Sequence, residues 1–168
     1  MSFKEIKPEE IKDNPFKLIG KDWMLVTAGK KDSCNTMTAS WGAVGIMWGK
    51  PSVTCYIRQS RYTKEFLDRE DHFTISIFDE EYRKALSLCG SVSGRDKDKI
   101  KEAGLTVCEA GESVAFDEAR LIIVCKKEYA QYMGPENFIN KENDERWYGD
   151  KDYHTMYIGS IEKVLVKE

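Results

Sequence analysis

The stretch SVTCYIRQSRYTKEF, Ser52 to Phe66, decides how this chain is read. Its first half alternates. Val53, Cys55 and Ile57 fall on one side, and Thr54, Tyr56 and Arg58 on the other, the pattern of a strand with one buried face. Its second half has helical spacing. At the junction, Arg58, Ser60, Arg61 and Thr63 crowd together. The first turn of a helix presents unpaired N–H groups and a partial positive charge, so an anion can be held there. Ser60 is placed where an N-cap belongs, Thr63 lies in the first turn, and the two guanidinium groups can add charge-assisted bonds. One phosphate monoester suits this cluster. A capped helix with two solvated arginines suits the spacing equally well.

Working outward, WMLVTAG (Trp23 to Gly29) reads as a strand, and KKDSCN as a turn. The run NTMTASWGAVGIMWGKP, from Asn35, reads as strand broken by glycines. Thr36, Thr38 and Ser40 share one face of it, and Ala39 and Gly42 leave the backbone bare, so a flat polar heterocycle could lie there; an edge strand with a hydroxylated face explains the same pattern. In HFTISIF, Phe73, Ile75 and Ile77 point inward. EEYRKALSLCG is a helix with Tyr82, Ala85, Leu86 and Cys89 on one stripe and Gly90 as its stop. SGRDKDKIKEAG opens with a capping box, Ser93 to Asp96, and stops at Gly104. ARLIIVCKKEYAQYM is a long strand, ENDERWYGDKDY a polar loop carrying Trp147, and HTMYIGSIEKVLVKE a last strand. In that strand the inward set shifts after Gly159, from Met156 and Ile158 to Ile161, which predicts a bulge. Strands outnumber helices and βαβ alternation is not sustained. The expected fold is therefore mainly β, a barrel with short helical insertions.

The chain has 168 residues, a formal net charge of -3 and 33% charged residues. One domain over residues 1–168 is expected, with 1–17 wrapping the surface. No basic excess drives nucleic-acid binding. The N-terminus is charged from its fourth residue, unlike a signal peptide, and no apolar run approaches the ~18 residues of a membrane span. The five cysteines are odd in number and form no C-x-x-C, and two histidines do not complete a zinc site, so no metal is expected. Reduced thiols point to a cytoplasmic protein.

Four stretches, NTMTASWG, GKPSVTCYIRQSRYTKEF, CGSVSGRDKDKIKEAGL and HTMYIGSIEKV, together resemble the flavin reductase-like family with the FMN-binding split-barrel fold, and its flavoredoxin-type members above all. The resemblance runs from Leu18 to the C-terminus. It implies a split β-barrel that forms a homodimer with FMN near the interface. Met37, Thr38, Ala39, Ser40 and Trp41 would lie along the isoalloxazine and ribityl chain. Arg58, Ser60, Arg61, Tyr62 and Thr63 would grip the 5′-phosphate. Cys89, Gly90, Ser93, Gly94, Arg95 and Asp96 would border the cofactor, with Lys99 as a second cation. His154 would sit near the flavin face or an incoming nicotinamide. The sequence departs from the family after Gly159, where Ser160 stands in place of a common acidic residue. Cys89 admits a redox reading beside a flavin and a plainer one as a buried thiol of its helix.

The activity implied is FMN-dependent transfer of electrons from NADH or NADPH to a small-molecule or protein acceptor. The alternative is an electron carrier with no nicotinamide turnover. A third possibility is a haem or pyridoxal phosphate binder on the same barrel. The sequence shows no catalytic triad, which suits chemistry carried by a cofactor.

Overall fold

In a computed structural model, which describes residues 2–168, the strands are β1 (Phe3–Ile6), β2 (Met24–Lys30), β3 (Ser33–Ala39), β4 (Gly42–Met47), β5 (Lys50–Arg58), β6 (His72–Ile77), β7 (Val107–Ala110), β8 (Ser113–Phe116), β9 (Leu121–Tyr132) and β10 (His154–Lys167). The helices are α1 (Pro15–Gly20), α2 (Tyr62–Arg69), α3 (Arg83–Ser91), α4 (Lys99–Glu102) and α5 (Lys141–Trp147). One antiparallel sheet runs in the order β3-β2-β6-β9-β10-β5-β4, with β1 added to β10 and β7-β8 as a separate hairpin. Its two end strands, β3 and β4, are consecutive in the chain and separated only by Ser40 and Trp41. A sheet whose opposite ends are tied that closely has to curl on itself. No ladder joins β3 to β4 among the described residues, so the barrel stays split along that seam.

The alternation in β5 holds: Val53, Cys55 and Ile57 are buried in the barrel, while Thr54, Tyr56 and Arg58 are part-exposed on the other face. Val26, Phe73, Ile75, Ile123 and Tyr157 join them inside, and Phe66 and Leu67 of α2 pack on the same core. A second core lies outside the sheet, where Leu25, Ile122 and Val124 meet Leu86 and Cys89 of α3 and Phe116 of β8. β9 is thus apolar on both faces through Cys125, which explains its unbroken LIIVC run.

Several elements differ from the sequence reading. Of the segment 1–17, Met1 lies outside the described residues, and the rest does more than wrap the surface: Phe3 to Ile6 pair with the end of β10, and Asn14 caps α1 by accepting from the N–H of Phe16 and Lys17. The glycine-broken strand is two strands. Ser93 and Asp96 form no capping box; Ser93 accepts from Arg95 in a turn, and Asp98 caps a shorter helix by accepting from the Lys101 N–H. The polar loop contains α5, capped by Asn140. In β10 the inward residue is Tyr157, not Met156 or Ile158, because its hydroxyl reaches the Asp68 carboxylate at 2.5 Å while the ring fills the core. Register shifts fall between Ile158 and Gly159 and between Ile161 and Lys163, so the bulge expected after Gly159 is present.

Candidate functional site

The seam between the barrel's ends opens as a groove of about 320 Å³. One wall is the end of β3 and the link to β4, Met37 to Trp41; the other is Tyr56, Arg58 and Arg61, with Trp147 and His154 closing it. Eight residues singled out in the sequence therefore meet at one place: Met37, Thr38, Ala39, Ser40, Trp41, Arg58, Arg61 and His154. Tyr56 and Trp147 had not been singled out as binding residues. Tyr56 was detectable, since it shares the polar face of β5 with Arg58.

Where Arg61 lines the groove, two cations converge on the carbonyl end of α3, although Lys99 itself lies outside the groove lining. Arg61 donates to the carbonyls of Gly90 at 2.8 Å and Cys89 at 3.4 Å, and Lys99 donates to those of Cys89 and Val92, both at 3.0 Å. The C-terminal end of a helix carries partial negative charge, so it tolerates cations. Neither side chain forms an ion pair with a carboxylate among the described residues. Lys99 is 3% exposed. Burial, then the repulsion of Arg61, pulls its ammonium down to about 8. Burial also lowers Arg61, against the attraction of Asp152. A buried lysine and a half-buried arginine, bonded to carbonyls and with no carboxylate in direct contact, form a site that an anion would complete. Arg61 is also the N-cap residue of α2, whose first N–H groups, those of Tyr62 and Thr63, precede any intrahelical partner.

Ser60 is not the N-cap. Its hydroxyl and N–H donate to Asp152 at 2.5 and 3.1 Å. Arg58 makes both its Asp150 contacts through Nη1, at 3.1 and 3.0 Å, and donates from Nη2 to the Trp147 carbonyl at 2.8 Å. These bonds tie the α5–β10 segment across the groove. Thr63 is buried and accepts from the Asn35 amide at 2.8 Å. Tyr62 turns away, its ring edge-on to Phe66 and under the Arg95 guanidinium. The Thr38 hydroxyl donates to the Leu86 carbonyl, and Gly90 lies so close to Thr38 that a Cβ there would meet it at 3.3 Å. Ser93 stands in the turn before α4, outside the groove wall.

Cys89 is buried, and burial pushes its thiol up despite Lys99, which favours the plainer of its two readings. All five cysteines are free. No group of His, Cys, Asp or Glu is arranged to hold a metal among the described residues.

His154, at the start of β10, is buried beside Trp41, ring centroids 5.3 Å apart. Its Nδ1 lies 2.6 Å from the Tyr148 hydroxyl. Burial, then Arg58, pulls the imidazole down to about 4, so it is neutral at ordinary pH. If Tyr148 donates, the remaining proton sits on Nε2. Trp41 packs edge-on against Trp147 at 5.1 Å, and these two rings divide the groove from a second, apolar chamber of about 630 Å³.

The family model for the flavin reductase like domain matches residues 17–168. No curated protein matches the sequence significantly. Among solved structures, the chain is similar to an FMN-binding domain of a flavin reductases-like enzyme from Shewanella baltica, with 17% identity, a TM-score of 0.70, and coverage of 98% of this chain and 77% of that one. It is similar to flavoredoxin of Desulfovibrio vulgaris, with 24% identity, a TM-score of 0.68 and coverage of 98% and 77%. It is also similar to nitrilotriacetate monooxygenase component B from Bacillus cereus, with 20% identity, a TM-score of 0.68 and coverage of 100% and 83%.

Proposed function

The chain belongs to the flavin reductase like domain family, and from that premise we propose that it binds FMN in the groove and acts as an FMN-dependent oxidoreductase, taking electrons from NADH or NADPH and passing them to a small acceptor. The observation that carries this reading is a pair of cations at the start of α2: Arg61, which lines the ring-walled groove, and the buried Lys99, which shares the Cys89 carbonyl with it. The residues fit the cofactor. Arg61, Lys99 and the first N–H groups of α2 would hold the phosphate, and the stretch Met37 to Trp41 would lie along the ring system. Bound FMN would supply a ring that accepts a hydride and releases electrons singly or in pairs.

The protein's own task is alignment and exclusion of water. Trp41 and Trp147 cover the groove. Arg58 fixes Trp147 through its carbonyl and anchors Asp150 of the same segment. His154, neutral and held by Tyr148, offers a ring nitrogen without a protein partner among the described residues and moves no net charge into the site.

A second reading, an FMN-bearing electron carrier without nicotinamide turnover, is favoured by the chamber beside the groove: its lining holds no cation for the phosphates of a dinucleotide. We further place the protein in the cytoplasm, from its free thiols, and as a homodimer, from the apolar side chains it exposes.

The test is a titration of the purified chain with FMN and with riboflavin. Arg61→Ala and Lys99→Met should each weaken FMN at least tenfold, about 1.4 kcal/mol or more, and leave riboflavin nearly unchanged. Equal losses for both ligands would refute the phosphate assignment. Anaerobic addition of NADH or NADPH then separates the two activities: prompt bleaching of the flavin band supports the reductase, and bleaching only with an added partner reductase supports the carrier.

A further inference from the structure

The apolar chamber is walled by Phe16 of α1, by Trp41 and Tyr56, and by Phe138, Trp147 and Tyr148 of the segment that crosses the seam. Its volume of about 630 Å³ falls in the range of small-molecule sites. We propose that this chamber is a second binding site, and that its occupant is an uncharged, planar aromatic molecule of one or two rings. As a binding site it stands independently; as the acceptor site of the reaction it rests on the FMN reading.

Three observations select this ligand chemistry. First, six aromatic side chains line the chamber, and rings packed at offset or edge-on angles gain more than the area they bury. Second, no Asp, Glu, Lys, Arg or His contributes to the lining, so a charged ligand would find no counter-ion there, whereas a neutral ring loses nothing by leaving water. Third, Ser40, Asn143 and Tyr56 line the chamber, and their side-chain polar groups have no protein partner among the described residues. They can fix the orientation of a neutral carbonyl or phenol. The chamber shares Ser40, Trp41, Tyr56 and Trp147 with the groove, so a ring bound here lies against the wall of the proposed flavin site.

Calorimetric titration of the full chain with 2-naphthol, and with 2-naphthalenesulfonate as the same ring bearing a fixed charge, tests this. The expected result is saturable binding of 2-naphthol, with the sulfonate at least tenfold weaker. Ala43→Trp, at an exposed position of β4 that borders the chamber, should weaken 2-naphthol at least tenfold while FMN titrates as in wild type. Should that variant fail to fold, Phe16→Ala, at a solvent-exposed position, removes part of the same wall and should weaken 2-naphthol severalfold. The proposal is overturned by failure of 2-naphthol to saturate, by equal affinity for the sulfonate, by a folded Ala43→Trp that binds as wild type, or by a dimer whose second copy fills the chamber and excludes the probe. Binding of 2-naphthol without any binding of FMN supports the chamber and sinks the flavin reading alone.

Discussion

Lys99 holds its ammonium against the carbonyls of Cys89 and Val92, beside Arg61 and away from water, and its sequence context carries no sign of this. A lysine in the charged run RDKDKIKE reads as solvated; only the fold, by laying α4 against the end of α3, buries it. Its titration gives a test. The folded group loses its proton near 8, against an ordinary 10.5. Between those values the unfolded chain binds more protons, so this residue makes ligand-free protein more stable as pH rises from 8 to 10.5. Buried thiols such as Cys55, pushed up to about 12, work in the opposite direction in alkali. The prediction is therefore stated as a difference: urea stability of wild type minus that of Lys99→Met should rise between pH 8 and 10, and a flat difference would show that Lys99 is not desolvated. FMN affinity should fall over the same interval, as the cation is lost, while riboflavin affinity should not. His154 runs at the acid end. Its folded value of about 4 lies below the ordinary 6.5, so the unfolded chain takes up the proton first, and stability is lost as pH falls from 6.5 towards 4. An NMR titration of the imidazole with a midpoint near 6.5 would contradict this. Arg58 and Ser60 were legible as a polar cluster, but their partners Asp150 and Asp152 lie some ninety positions away, and no local pattern could have joined them.

At the scale of elements, what the sequence made readable were strands whose apolar and polar residues alternate. β5 and β6 alternate because one side of each meets the barrel core, and both were read in register. β10 misled because Tyr157 is amphipathic: its ring belongs to the core and its hydroxyl to Asp68, whereas Met156 and Ile158 look more apolar and are not part of the barrel core. α5 was missed because its residues are nearly all charged, although Asn140 was a usable cap signal. Gly159 shows how a single position serves an element. A Cβ there would meet the Phe73 ring at 2.6 Å and the Cys125 Cβ at 2.9 Å, so β10 can cross β9 at this point only with a bare backbone. Gly159→Ala should cost about 1–3 kcal/mol, seen as a lower urea midpoint with unchanged slope. Gly45→Ala, on the edge strand β4 with nothing within 4 Å of its Cβ position, is the control and should be close to neutral. Equal effects would mean that Phe73 moves aside.

At the scale of the whole molecule, the curl of the sheet leaves the β4–β5 hairpin projecting from the barrel. Its tip turns through Trp48 and Gly49, both in the left-handed region at φ 50° and 71°, the geometry of a two-residue hairpin turn with the right twist. Asn or Gly takes the first of these positions readily, whereas a tryptophan there carries strain of about 1 kcal/mol. The strained residue also faces water: Trp48 is 56% exposed and its neighbour Ile46 72% exposed. A side chain that is strained in the turn and unburied in the monomer gains from being covered, and the homodimer we propose would cover it. Sedimentation of the wild type should then report a dimer. Ile46→Asp combined with Trp48→Asn should give a monomer with an unchanged far-ultraviolet spectrum, because both positions lie outside the two cores and Asn tolerates the left-handed conformation. The FMN titration of that monomer decides how the groove depends on assembly. Retained affinity would confine FMN binding to one chain, and affinity lost together with the dimer would place part of the binding site on the second copy. A wild type that sediments as a monomer at every concentration would leave the strained tryptophan without this explanation and would sink the dimer.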